Sequence, residues 1–592
     1  MIVKKIYFYY EYSKSENFSI FLGINPDDLR DKTYILEAYK SVMEEEGIPY
    51  KIIDYPTLCS LPINNEFINN HPAVILPDGI AQRINPDSKK WFEKYLEEGG
   101  NILIVYDAGI KNYKSAYLDK PVFSELAGVN YCQYTKLKEN SYINTYVKVN
   151  RKDIIKITPG KIDEESKIIK GYSYGKLQYP VAVAELIDPS AEILATTISK
   201  EGKLIPISTL KNYKKGKIMF VNLPLGYLKA YSDDLILRTF LRSFLFKIIS
   251  IPHLANTPSA KGGIIINWHI DANSDWISIP NMTKNKYFRQ NLEFSNHITA
   301  GEFRDTPGDN LGFDACGKGK KYVEMILKYG EIGSHGGWAH NYFSYGILDG
   351  KINQQQIEYY IIKNNQCLQS ITGKEIKEYS APNGVHPQPI KTQILEKHGI
   401  MAYYYAGDTG SSPNRTFFDG KMVSKNVIAF PVCNYKESAS LFEMWKNKKS
   451  EEEVEKFLLD LLDYTKNERV VRLFYSHPYD IPHYPYAIKN FINKAEKLQE
   501  NGYIKVKPMK YFAEFLLRFL QTKYTFKIKN NILEAEVHNP LGLQEITLAI
   551  PKNYTIISNT ISIETDSDEN YNYYIIKENI TLFRAKFKNI SN

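Results

Sequence analysis

The first hundred residues alternate between two hydrophobic periods. TYILEAYKSVMEEEGI, from residue 33, spaces its apolar positions for one helical face and stops at Gly47, while YKIIDY and PAVILPDG are short apolar runs. SKKWFEKYLEEGG is helical again and ends in paired glycines, and NILIVYD is apolar on both faces, as in a buried parallel strand. With KKIYFYY ahead of them as a first strand, these segments predict a doubly wound α/β domain over residues 1–250. Residues 111–210 are less regular, and GKIMFVNLP with DDLILRTFLRSFLFKII then returns to the sheet.

IPHLANTPSAKG reads as a linker. Beyond it apolar strands alternate with helices: GGIIINWHID, KYVEMILKYG, EIGSHGG, QQIEYYIIKNNQCLQSITG, IKEYSAPNG, IKTQILEKHG, IMAYYYAGD, EEVEKFLLDLLDY, VVRLFYSHPYD, AIKNFINKAEKLQENG and YIKVKPM. Five or six such units over residues 255–521 predict a parallel (β/α) barrel. The tail, 522–592, has period-two runs in KYTFKIKN, ILEAEVHNP, EITLAIP and TLFRAKFKN, which predict a small antiparallel β-sandwich.

Composition adds limits. With 592 residues, 43% hydrophobic and 24% charged, the chain is an ordinary multidomain globular protein. A net charge of +8, from 75 basic residues interspersed with 67 acidic ones, gives no reason to expect nucleic acid or an anionic membrane. The 46 tyrosines fit either sugar-stacking surfaces or a compositional habit. Cys59, Cys132, Cys316, Cys367 and Cys433 are widely spaced and predict neither a disulfide framework nor a zinc knuckle. No apolar run of signal or membrane-spanning length is present, so the chain as given reads as soluble and unexported.

The chemistry concentrates in the barrel segment, where nine of the eleven histidines lie between 253 and 483. His269 and Asp271 end one predicted strand, His335 and His340 follow another in EIGSHGGWAHN, and Asn383, Asp408 and His477 follow three more. Residues five apart cannot pair on a helix or strand, so His335 and His340 imply a glycine-permitted loop that folds two imidazoles toward one point. Catalytic groups of such barrels sit at the C-terminal ends of strands, which gives these residues one mouth. Trp268, Trp276 and Trp338 beside them are either sugar platforms or core.

This order resembles the polysaccharide deacetylases of NodB type, carbohydrate esterase family 4 and its relatives in exopolysaccharide and biofilm operons. The resemblance covers about 260 residues and implies a distorted (β/α) barrel. It further implies that Asp271, His335 and His340 ligate a divalent metal, zinc above others, with His477 in LFYSHP as general acid. Asp408 in YYAGDTG would fix the His477 tautomer, and the amide of Asn383 in SAPNG would help hold an oxyanion. The substrate so implied is an N-acetylated amino-sugar polysaccharide. The N-terminal half in turn resembles the class I glutamine-amidotransferase-like fold in its noncatalytic version, because Asp107, Ala108 and Gly109 stand where a nucleophilic cysteine would be.

Two positions depart from the deacetylase pattern. Ile270 replaces the base aspartate and Ser380 replaces the arginine that steers it. Losing both partners of a buried ion pair is more intelligible than losing one, which would strand a charge at a cost of about 3–5 kcal/mol. The base is then left open between His269 and Asp275. Two other functions also remain open: a decayed relative that only binds polysaccharide, and a glycoside hydrolase resembling family 38, suggested by His269-Ile270-Asp271.

Overall fold

The structure is a computed structural model that describes residues 17–172, 175–404 and 411–590. The chain is a mixed α/β protein built on two large sheets and a β-sandwich. The N-terminal sheet comprises β1 (Ile20–Ile24), β2 (Tyr50–Asp54), β3 (Ala73–Leu76), β4 (Asn101–Val105), β5 (Lys148–Val149), β6 (Glu192–Ile198), β7 (Leu204–Tyr213) and β8 (Gly216–Val221). Its order is β2-β1-β3-β4-β8-β7-β6-β5, parallel from β2 to β8 and antiparallel beyond. The expected first strand, KKIYFYY, lies outside the described residues. Its place in the order is held by IFLGI, every residue of which is buried.

The second sheet is the curled parallel sheet of the barrel, made of β9 (Gly262–Ile270), β10 (Phe294–Ile298), β11 (Gly330–His335), β12 (Glu378–Ser380), β13 (Ala402–Tyr404), β14 (Ile428–Ala429), β15 (Val471–Ser476) and β16 (Ile504–Val506). The order is β14-β13-β12-β11-β10-β9-β15, with β16 on β9. A parallel bridge between Val432 and Leu473 brings the two ends of the sheet together. Strand β10, FSNHI, is absent from the sequence reading, because its polar Ser295, Asn296 and His297 hide an element that is buried throughout.

Residues 251–262 are not a free linker. His253–Ala255 is a strand paired with Thr547–Pro551 of the C-terminal sandwich, and all three of its residues are buried. The sandwich has two four-stranded sheets, one of which includes this strand. One disulfide is present, which the spacing did not predict: Cys316 and Cys367 are bonded, their Cα atoms 5.9 Å apart, tying the loop after β10 to the helix Gln354–Thr372.

We propose the three assemblies as units with boundaries near residues 250 and 521. They share a buried polar seam. Arg238 in the N-terminal half is enclosed by Asp234, Glu45 and Glu46, and Glu45 also accepts from Arg415 of the barrel segment at 3.0 Å. Lys229 Nζ donates to Asn414, Arg472 to Thr158, and the Lys436 N–H to the Gly160 carbonyl. Charges this deep are tolerated only because each is paired or hydrogen-bonded, and separating the halves would strip partners from Arg415, Lys229 and Arg472.

Candidate metal centre and active site

The loop between His335 and His340 turns tightly. Gly336 has φ of 73°, and a Cβ there would stand 2.2 Å from Pro382 Cγ, so the position admits only glycine. His335 is the last residue of β11, and His340 opens the helix His340–Leu348. Their Nε2 atoms come within 3.1 Å of each other. Asp271, directly after β9, places Oδ1 at 3.3 Å from His335 Nε2 and 3.7 Å from His340 Nε2.

This triangle has the size of a coordination face. Donors about 2.1 Å from one ion lie roughly 3.0–3.4 Å apart in octahedral or tetrahedral sets. Asp271 Oδ1 is buried and accepts no hydrogen bond among the described residues, an orphan that a cation would satisfy. Burial pushes His335 down to about 4, so it is neutral with a lone pair to give. Burial works against ionising Asp271, but the facing imidazoles of His340 and His477 hold it well below the usual carboxylate range.

Each imidazole is held from behind. His340 Nδ1 pairs with Asn341 Oδ1 at 2.8 Å, and Asn341 in turn donates to Asp305 at 2.6 Å. His335 Nδ1 meets Ser380 Oγ at 2.8 Å. That hydroxyl also meets His297 Nδ1 at 2.8 Å, and His297 Nε2 meets Glu378 Oε2 at 2.9 Å. Ser380, which stands where the family arginine was expected, therefore bridges two histidines in a buried chain ending on a carboxylate. Gly333 makes room for it, since a Cβ there would lie 2.4 Å from the His297 ring.

His477 follows β15, its Nε2 3.5 Å from Asp271 Oδ2 and its Nδ1 2.7 Å from Asp480 Oδ2. Burial alone would lower its pKa, but the Asp271 charge and then Asp480 push it up to about 9. Asp480, three positions on in SHPYD, thus holds His477, a role expected of Asp408. Asp408 itself lies outside the described residues. Tyr479 adds a hydroxyl to Asp271 Oδ2 at 2.9 Å.

Of the two residues left open as base, one is brought into the site and one is not. His269 borders the cavity, its ring 3.9 Å from that of His335 and its Nε2 bonded to the Tyr404 hydroxyl. With Asp271 and His335 it forms a second triad of close donor atoms. Burial holds it neutral, its pKa well below the usual range. Asp275 is fully buried outside the cavity lining and accepts the Asp271 backbone N–H at 3.2 Å, so it braces the turn instead of facing a substrate. Burial, with the Asp271 charge, pushes its carboxyl well above the ordinary range. Ile270 points into the barrel core.

Asn383 borders the cavity in the left-handed region, φ 51°, its side-chain amide donating to Asn341 and Ser344. Trp268 is fully buried core, and Trp338 is half-buried against the barrel core with its indole N–H on Glu302 at 2.7 Å. The cavity in front of these groups measures about 740 Å³. One residue of the N-terminal half, Tyr172, also lines it.

Residues 289–403 match the family model for polysaccharide deacetylase, a stretch that contains His297, His335, His340, Ser380 and Asn383. No curated protein matches the chain. Among solved structures it is similar to a family 4 carbohydrate esterase from Streptomyces lividans in complex with acetate, at 10% identity and a TM-score of 0.25, over 41% of this chain and 91% of that one. A mutant of the peptidoglycan deacetylase PdaC from Bacillus subtilis is similar at 12% identity and 0.24, over 43% and 92%. The beta-galactosidase from Bacillus circulans sp. alkalophilus is similar at 11% and 0.28, over 40% of this chain, which spans about a third of that enzyme's length. Likeness at this level carries no argument about function.

Proposed function

We propose that the protein is a metal-dependent deacetylase that hydrolyses N-acetyl groups of an amino-sugar polysaccharide. One observation carries the reading: two imidazoles and an orphaned carboxylate oxygen form a coordination-sized triangle beside a carboxylate-held histidine. The matched deacetylase segment, 289–403, supports it.

Asp271, His335 and His340 would hold the cation. Zinc suits two imidazoles and a carboxylate, and when bound it supplies Lewis acidity toward water and the acetamide carbonyl. His477 supplies the proton that an expelled amine needs, and Asp480 fixes its Nδ1–H so that Nε2 faces the reacting atoms. The Asn383 backbone N–H is the proposed donor to the oxyanion. His269 is the remaining candidate to receive the proton of the attacking water. The Cys316–Cys367 bond belongs to oxidising compartments, where exopolysaccharides are found.

The test is elemental analysis of the purified protein coupled to acetate release from N-acetylated oligosaccharides. One equivalent of zinc with acetate release is the expected result. New reducing ends without acetate would replace this reading with a glycosidase, and binding with neither product would leave a polysaccharide binder.

A further inference from the structure

The cavity is not made by the barrel alone. Tyr172, from the excursion of the N-terminal half between β5 and β6, borders it beside Ser440, Phe442 and Glu443. The Tyr172 hydroxyl donates to Glu443 Oε1 at 2.6 Å. Glu443 Oε2 accepts the Ala439 N–H at 2.6 Å and caps the helix Leu441–Lys446, so the ring is tethered to a fixed element. The buried seam between the halves holds both sides of this contact in register.

Tyr475 lines the same cavity, its ring 4.8 Å from that of His269. A cavity of this size suits a ligand of several rings, far more than an acetamido group. Tyr172 and Phe442 offer flat apolar faces, and the neighbouring hydroxyl and carboxylate offer polar partners, the mixture that a sugar ring takes.

We propose that Tyr172 is a specificity-determining residue: the N-terminal half supplies one wall of the polysaccharide cavity, and this wall holds a sugar unit two or more positions away from the one whose acetyl group reacts. The proposal rests on the deacetylase reading for the identity of the ligand. Its consequence is that the N-terminal half, without chemistry of its own, selects the polymer.

The experiment uses full-length, zinc-loaded protein with fluorescently labelled β-1,4-linked N-acetylglucosamine oligomers of two and five units, reading acetate release and binding anisotropy. Tyr172→Ala should raise KM and Kd for the pentamer about tenfold, with kcat within about twofold and a shift below about threefold for the dimer. Tyr172→Phe keeps the ring and should shift the pentamer by less than about threefold. Equal shifts for both oligomers, or a fall in kcat and melting temperature at constant KM, would mark Tyr172 as structural and overturn the proposal. Acetate release by the wild type with no length-dependent effect overturns this proposal alone. Pentamer binding that weakens in Tyr172→Ala without any acetate release overturns the deacetylase reading alone. Absence of both binding and release overturns both.

Discussion

The parallel strands of the two large sheets present acidic residues at the same kind of place, their carboxyl ends, and use them in opposite ways. In the N-terminal sheet Asp78 follows β3 and Asp107 follows β4. Asp78 accepts from the Tyr39 hydroxyl at 2.9 Å and from the backbone of Gly226 and Tyr227 at 2.9 and 3.1 Å, while Asp107 accepts from Gly79 N and Gln82. The helix Leu225–Tyr231 closes the edge so tightly that a Cβ at Gly226 would lie 2.6 Å from Ile35. Nearby Cys132 is buried against Tyr142, and burial pushes its thiol up to about 12, far from a nucleophile. In the barrel the corresponding edge leaves Asp271 Oδ1 without a hydrogen bond and opens onto a cavity. A strand-end carboxylate becomes a site only when the fold leaves some of its bonding capacity unspent.

That contrast breaks first if the open edge holds no metal. His335→Ala together with His340→Ala should abolish stoichiometric zinc and lower acetate release by at least about a thousandfold, with circular dichroism unchanged. A variant that still retains one equivalent of zinc would put the site elsewhere. Next in size is His477→Gln. An amine leaves poorly without a proton, so amide turnover should fall by about 10²- to 10⁴-fold while zinc content holds. An acetate ester with a good leaving group should lose far less, and equal losses on both substrates would remove His477 from the acid role.

Much of this edge was legible in the sequence, because strand ends are where hydrophobic period gives way to glycine, aspartate or histidine. His269, Asp271, His335, His340 and His477, all named from that pattern, border one cavity. What escaped depends on contacts between distant segments or on local turns. Asp480 was missed because the His477 partner was sought by family order at Asp408, although Pro478 begins a 3₁₀ turn that brings position 480 back to the imidazole. His297 was missed with its strand, and Cys316 with Cys367 because 51 residues separate them. Tyr172 carries no motif at all. Its place in the cavity follows from how the halves pack, which no local pattern encodes.

The relay behind His335 gives a smaller effect. Ser380→Ala removes the hydroxyl between His335 and His297 with little change of volume. Partners of this kind orient a ligating imidazole, and their loss costs about 10- to 100-fold in metal affinity. Competition with a zinc chelator measures this directly. Unchanged affinity would make the chain from Glu378 to His335 a packing feature and leave the metal edge defined by its ligands alone.

The last prediction tests the closed edge, through stability alone. Burial pushes Asp78 up to about 6 against the lowering effect of the Gly226 amide, with the Asp107 charge adding to the rise. A carboxyl whose folded pKa lies above its unfolded value of 3.8 binds its proton more tightly in the folded state. Its stabilisation is complete below pH 3.8 and is lost as pH rises through 6, up to about 3 kcal/mol in all. His71 and His253, each pushed down to about 4 by burial, work in the opposite direction over an overlapping window, so the wild-type curve alone cannot isolate Asp78. The difference between wild type and Asp78→Asn can. Asparagine does not ionise, so denaturant midpoints should show the wild type losing ground to the variant between pH 4 and 6.5, while zinc content per folded molecule stays equal. A difference that is flat across that window would mean that Asp78 keeps an ordinary pKa, and that the closed edge is less completely sealed from water than its hydrogen bonds imply.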